Sequence, residues 1–415
     1  MTVQSRKPVV WYERLLLALL VVVYLPGVVL TIRDLVPLPK QVDFAAYYVA
    51  ARAMHLGLSP YDPRVADNIA ASSGMTERTT YIYPPLLARA IEPLAALPYD
   101  VAAAVWLGLS IAALVLALYL LAQHIHLPKR MLLVAIPLVM FTPAVHYTLE
   151  LGQINHFLLL MITAAVVATA PVLSGTLIGA AGALKVYPLA LTAVFLLEWN
   201  VITLAATAIS AALLSAAGSL GTPADASVTY WLAQIAPVIN VERLITPGNQ
   251  SLQAICLRLF APHTFEAMFI SASLETTVRV EPIFNAPALA SPVAALLSIL
   301  IAGATAWTLI RTRHVPGPVA RLARFSLVLI LTLIVLPVVW DHYYILLLLP
   351  AAVLYERRRI DLVRLALPAA LLLVHLHRYW RLTLYTHSPL VLSLGLAGVC
   401  VMWVALIVVM NREAG

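Results

Sequence analysis

LSGTLIGAAGALKVYPLALTAVFLL, residues Leu173 to Leu197, holds a single charged side chain, Lys185, with Pro188 shortly after it. A membrane span needs about 20 apolar residues and proline breaks a helix, so the stretch fits either one span or two short helices broken between Lys185 and Pro188. The choice sets the direction of the chain beyond it. With one span, the loops RTRHVPGPVARLAR (residues 311–324) and ERRRIDLVR (residues 356–364), each with four arginines, fall outside the cell. That opposes the excess of Lys and Arg carried by cytoplasmic loops. With a hairpin both loops become cytoplasmic, and the sequence therefore predicts a hairpin with Lys185 at its outer turn.

Apolar stretches of span length recur on both sides of this hairpin. Before it they cover about residues 15–32, 101–122, 131–148 and 156–170, and after it 201–219, 290–310, 322–339, 343–355, 363–380 and 389–410. Hydrophobic residues make up 62% of the chain and charged ones 11%, with mean hydropathy +0.93, against about 25% charged in a soluble domain. The runs do not alternate as barrel strands would. The prediction is an all-α, polytopic transmembrane helical bundle of about 10–12 helices, taken as twelve, forming a single integral membrane domain over residues 1–415. Arg6, Lys7 and Arg14 precede a first span with no small-residue cleavage site, which reads as a retained signal anchor. The threading leaves long extracytoplasmic loops at about 33–98 and 221–289 and places LGQIN, WDHYY and HRYWRLTLYTHS on the same outer face.

The net charge of +7 is dispersed among the spans, so no nucleic-acid partner is expected. The cytoplasmic connectors are short and carry no glycine-rich phosphate loop, so chemistry belongs outside. Cys400 lies in an apolar run and Cys256 beside a polar loop, which argues against a disulfide. His124 with His126, and His375 with His377, are spaced i,i+2 and face apart on a helix, so no metal site is expected.

Polar islands in apolar sequence are the candidate site. Asp43, in VDFAAYYVAARAMH, follows the first span; it reads either as a helix N-cap or as a partly desolvated general base. Tyr47 lies about a turn beyond it, and Tyr83 sits in YIYPP; both are an aromatic belt or lining groups. Lys185 stands alone in apolar sequence, which means snorkelling or a functional cation. With Arg258 and His342 it could bind an anionic phosphate. Gln153, Asn155, Asn249 and Gln250 suit sugar hydroxyls or inter-helix hydrogen bonds, and Tyr187 and Asp341 accompany them as sugar or acceptor ligands.

The islands, in this order, resemble the bacterial family 87 glycosyltransferases, polytopic enzymes of the GT-C superfamily that use polyprenyl-phosphate sugars. The matching pieces are DFAAYYVAAR (Asp43–Arg52), GLSPYD (Gly57–Asp62), YPP (Tyr83–Pro85), GQIN (Gly152–Asn155), LKVYP (Leu184–Pro188), NQSL (Asn249–Leu252) with Arg258, and WDHYY (Trp340–Tyr344). The resemblance implies a multi-pass cell-membrane protein with an extracytoplasmic active site and no cofactor. Its partners would be membrane lipid, a polyprenyl-phosphate-sugar donor and a lipid-linked or glycan acceptor. It implies an inverting transfer of a hexose, mannose first, with Asp43 as base and Lys185, Arg258 and His342 on the leaving phosphate. Family members also include decaprenyl-phosphate-arabinose-dependent arabinofuranosyltransferases. A lipid or glycolipid transporter would need similar helices, but the sequence shows no pseudo-symmetric halves and its polar islands gather on one face; a scaffold subunit would leave Lys185 unexplained.

Overall fold

A computed structural model describes residues 11–35, 41–75, 77–223, 230, 246, 248–266, 277–383 and 388–414. Part of the expected loop 221–289, part of HRYWRLTLYTHS, and Arg6 and Lys7 lie outside the described residues.

The architecture is an all-α membrane bundle. In chain order the α-helices are α1 (Trp11–Leu35), α2 (Val42–His55), α3 (Pro63–Ser72), α4 (Pro85–Ala95), α5 (Tyr99–His124), α6 (Lys129–Met140), α7 (Pro143–Leu151), α8 (Asn155–Val167), α9 (Pro171–Leu184), α10 (Thr192–Leu197), α11 (Val201–Ser219), α12 (Leu252–Phe260), α13 (Pro287–Thr312), α14 (Pro318–Val335), α15 (Leu348–Glu356), α16 (Asp361–Thr383) and α17 (Leu394–Ala414). Tight 3-10 turns precede α10 (Tyr187–Leu191), α15 (Asp341–Leu347) and α17 (Val391–Ser393). Strands β1 (His263–Glu266) and β2 (Thr277–Val280) pair antiparallel with His263 opposite Val280.

Among the described residues five helical segments are long and apolar enough to cross a membrane, six if the bent pair α6 and α7 counts as one. The expected span at 131–148 is bent by 59° between α6 and α7, where Pro143 opens the second helix. The spans expected at 156–170 and 343–355 are short: α8 runs from Asn155 only to Val167, where the chain turns extended at Ala168 ahead of Pro171, and α15 starts after the turn that carries Asp341 and His342.

The helix does break at Lys185, which is extended (φ −156°, ψ 118°) between α9 and the Tyr187 turn. α9 packs against α11 with Gly175 facing Thr203 and Ala206, and Gly179 facing Thr207 and Ser210. A Cβ on either glycine would collide with the α11 backbone, so the small residues permit this approach. The matching order of contacts makes α9 and α11 parallel. The chain must therefore return between them, and the Tyr187 turn with α10 is that return. Lys185 lies at one end of this unit and Glu198 to Asn200 at the other, where the Asn200 side chain caps α11 by accepting from Thr203 N at 3.1 Å.

Both arginine-rich loops share the Glu198 end. Arg324 pairs with Glu198 at 3.0 Å, Arg321 donates to Ala168 O at 2.8 Å, and His124 meets Pro318 O at 3.0 Å. Asn411 donates to Thr308 at 3.1 Å, and Arg357 pairs with Glu413. The two arginine clusters and the end of α17 are thus at one end of the bundle, and the Lys185 turn is at the other.

Candidate active site

The Lys185 end begins with the tight turn Gly152-Gln153-Ile154 between α7 and α8. Gly152 has φ +68°, and a Cβ there would lie 2.6 Å from Phe44 Cβ. Glycine lets α2 press onto the turn. Phe44 stacks on Trp106 (5.2 Å between centroids, 17° between planes), and Trp106 Nε1 donates to Gly152 O at 2.8 Å. Packing of α2 and α5 thereby fixes where Gln153 projects.

Gln153 and Asp43 form the first group. The Gln153 amide oxygen accepts from Tyr83 at 2.9 Å and from Tyr47 at 3.2 Å. With that oxygen held by two phenols, Nε2 is turned to Asp43 and donates to Oδ2. Thr79 donates to Oδ1 at 2.5 Å. Asp43 lies in the first turn of α2, and Gln41 stands at its cap without a capping side chain, so Asp43 accepts from side chains of other segments rather than from its own helix start. Burial raises its pKa above the usual carboxylate range, and the bonds from Thr79 and Gln153 and the charge of Lys185 pull it back. Each carboxylate oxygen retains a lone pair for a further donor.

Lys185 and its aromatic surround form the second group. The ammonium donates to Asn155 Oδ1 at 3.2 Å and lies 4.1 Å from the Tyr343 ring centroid, 5.2 Å from that of Tyr83 and 5.7 Å from that of Tyr187. It makes no ion pair among the described residues. Burial pushes Lys185, at the turn between two short helices, down to about 7, with Asp43 opposing that shift. Asn155 Nδ2 donates to His342 O at 3.0 Å, and Thr148 donates to the same carbonyl at 3.2 Å. His342 thus reaches Lys185 through its backbone, with its ring between Tyr147 and Tyr343. The buried hydroxyl of Tyr187 has no hydrogen-bond partner among the described residues.

The model of glycosyltransferase family 87 matches residues 81–337. The chain belongs to this family. It is also 27% identical over 237 residues to the polyprenol-phosphate-mannose-dependent alpha-(1-2)-phosphatidylinositol mannoside mannosyltransferase of Mycolicibacterium smegmatis (strain ATCC 700084 / mc(2)155). That match covers 53% of this chain and 53% of the relative, so the chain spans about half the length of the curated protein it matches. The family match contains Tyr83, Gln153, Asn155, Lys185, Tyr187, Asn249, Gln250 and Arg258; Asp43, Asp341 and His342 lie outside its limits.

In this family 87 chain the other expected site residues form a separate brace. Arg258, buried on α12, donates to Thr246 O at 3.1 Å, Asn249 O at 3.0 Å and Ser393 Oγ at 3.0 Å. Asn249 Oδ1 accepts from Ser251 N and Val339 N, at 3.1 and 2.9 Å. Gln250 donates to Leu392 O at 2.8 Å and accepts from Leu396 N at 3.2 Å. Asp341 meets His377 Nε2 at 3.1 Å. These contacts tie α12, the segment before the Asp341 turn, and α17 together; none of them is with Lys185 or Asp43.

Thr79, Tyr343 and His377 are partners that the sequence reading did not single out. Tyr343 stood inside the quoted WDHYY motif, and His377 was weighed only as a metal ligand. Thr79 carries no local signal. Among the described residues no three His, Cys, Asp or Glu side chains gather closely enough to hold a metal.

Proposed function

We propose that this chain is an inverting glycosyltransferase that moves a hexose, mannose first, from a polyprenyl-phosphate donor to a lipid- or glycan-linked acceptor on the outer side of the membrane. The observation that carries the reading is Lys185: a buried ammonium with no ion pair among the described residues, near the ring of Tyr187, whose hydroxyl has no partner among them, and at the same end of the bundle as Asp43. Desolvating an ammonium without a counter-charge is costly, and an anionic phosphate would offset that cost. The family supports glycosyl transfer, and the name of the mycobacterial relative supports the lipid-phosphate mannose donor.

In the reaction the acceptor oxygen attacks the anomeric carbon from the face opposite the phosphate. Its proton passes to an Asp43 oxygen, the bond between carbon and phosphate oxygen breaks, and polyprenyl phosphate leaves with the electron pair. Asp43 is the base, held by Gln153 and Thr79. Lys185 stabilises the phosphate, with Tyr187 and Asn155 beside it. Arg258, Asn249, Gln250 and Asp341 act by bracing the segments around this site. The outer placement rests on the two arginine loops sharing the opposite end.

The test is incubation of the purified chain with radiolabelled polyprenyl-phosphate-mannose and a lipid-extract acceptor pool. Label should move to a lipid or glycan product with the wild type. Lys185→Ala should raise the apparent KM for donor at least tenfold. Label that never moves, or an unchanged donor KM in Lys185→Ala, refutes the reading.

A further inference from the structure

At the arginine-rich end lies a cavity of about 540 Å³ bounded by the start of α9, the turn between α10 and α11, and the loop between α13 and α14. This volume is within the ordinary range of ligand sites, about 300–1,000 Å³. Its charged lining is Arg313, Arg321 and Arg324 against one carboxylate, Glu198. The carboxylate is already committed to Arg324 at 3.0 Å, and Arg324 spends a further nitrogen on Val315 O at 3.1 Å. The other two guanidiniums keep donors in reserve. Arg321 uses its terminal nitrogens on Ala168 O, Ala165 O and Ser174 Oγ, while its Nε is buried with no partner. Arg313 is exposed and donates only from Nε, to His314 at 2.8 Å.

The surroundings favour a lipid over a free ion. Trp199 lines the cavity, is 81% exposed and has φ +51°, a left-handed conformation at the end of α10 where glycine is usual. A bulky residue held there needs a reason beyond folding, and an exposed tryptophan at a span end is a membrane-interface group. Leu196, Val201 and Ile202, which flank Trp199 in the chain, are 58%, 69% and 60% exposed, so the residues beside the cavity lining offer apolar side chains to lipid.

We propose that this cavity binds the phosphate of an anionic membrane phospholipid, with donors from the guanidiniums of Arg313 and Arg321, and with the acyl chains lying over the apolar residues beside Trp199. Basic pockets between spans take up acidic headgroups in this way. The site is separate from the Lys185 end, and its occupancy does not depend on which sugar, if any, is transferred there.

The test uses the full chain in detergent, delipidated, with melting temperature and native mass spectrometry as readouts. Phosphatidylglycerol should raise Tm by about 2 °C or more and remain as a one-to-one adduct, whereas phosphatidylcholine and sodium phosphate should not. Arg313→Gln should lose most of the shift and at least fivefold of the adduct. Arg64→Gln, an exposed arginine on α3 away from the cavity, should keep both. An equal shift with sodium phosphate would assign the cavity to a free anion and overturn the lipid proposal. So would an equal shift with phosphatidylcholine, no shift at all, or an undiminished adduct in Arg313→Gln.

Discussion

Gln153→Met removes one donor to Asp43 while keeping side-chain length and packing. Gln153 is 4% exposed, so water cannot replace the lost bond. A hydrogen bond to a charged group contributes about 1.5–3 kcal/mol, and 1.36 kcal/mol corresponds to one pKa unit. The Asp43 pKa, already raised by burial, should therefore rise by roughly one to two further units. A base works only when deprotonated, so the acidic limb of kcat/KM should move to higher pH by that amount. Thr79→Val removes the other donor, but Thr79 is exposed, and water can stand in for its hydroxyl. Its shift should be smaller, about half a unit or less.

The assay is kcat/KM for both variants and wild type from about pH 4 to 9 with polyprenyl-phosphate-mannose as donor. Stability supplies a second sign. A carboxyl whose folded pKa exceeds its unfolded one stabilises the fold at low pH and loses that contribution as pH rises through the folded value. In Gln153→Met this loss should occur at higher pH than in wild type. The reasoning fails if Gln153→Met slows transfer by one constant factor at every pH, which would mean lost geometry, or if Thr79→Val shifts the limb further than Gln153→Met.

Asp43→Asn should lower the transfer rate by about a hundredfold to ten-thousandfold with donor binding near normal, because the Asn oxygen can still accept from Gln153 while its NH2 donates to the Thr79 hydroxyl, but it takes no proton; initial rates and Tm on the same preparation check it. Lys185 loses its proton near 7, so donor KM should climb above that pH in wild type and stay flat in Lys185→Arg, read from KM at pH 6, 7.5 and 9. Gly152→Ala places a Cβ 2.6 Å from Phe44 Cβ at φ +68°, which should cost about 2–4 kcal/mol, measured as loss of Tm and of folded yield. Cysteine at Pro316 should resist a membrane-impermeant thiol reagent applied to intact cells while cysteine at Arg64 reacts, and the reverse would turn the protein over in the membrane.

The bundle was legible in the sequence because a lipid solvent leaves few options: long apolar runs must form helices, and the two arginine-rich loops do fall at one end of them. The break at Lys185 followed from the same logic, and the parallel packing of α9 on α11 requires the return that the charge asymmetry had implied. Span length was less legible. Residues 156–170 read as a span by hydropathy, yet α8 covers Asn155–Val167 and leaves helical geometry at Ala168, ahead of Pro171; Asn155, an edge residue by hydropathy, accepts from Lys185 and donates to the His342 carbonyl. A window of averaged hydropathy carries no information about which polar side chain will find a partner from another segment.

The site shows the same limit from the opposite side. Asp43, Gln153, Asn155 and Lys185 stood out because each interrupts or borders apolar sequence, and the fold does draw them to one end. Arg258 stood out for the same reason but is bound to backbone carbonyls and Ser393. The costs of burying the two cations are similar, and sequence registers only that cost. What separates them is how it is offset. Arg258 finds three oxygen acceptors from segments about 9 to 135 residues away, which occupy its terminal nitrogens and leave only its buried Nε without a partner among the described residues. Lys185 finds one neutral amide oxygen and three aromatic faces, an arrangement that holds the ammonium in place yet gives it no ion pair among the described residues. A buried cation is evidence of function in proportion to what its surroundings fail to supply, and on that measure Lys185 ranks ahead of Arg258 as the residue on which the donor phosphate should depend.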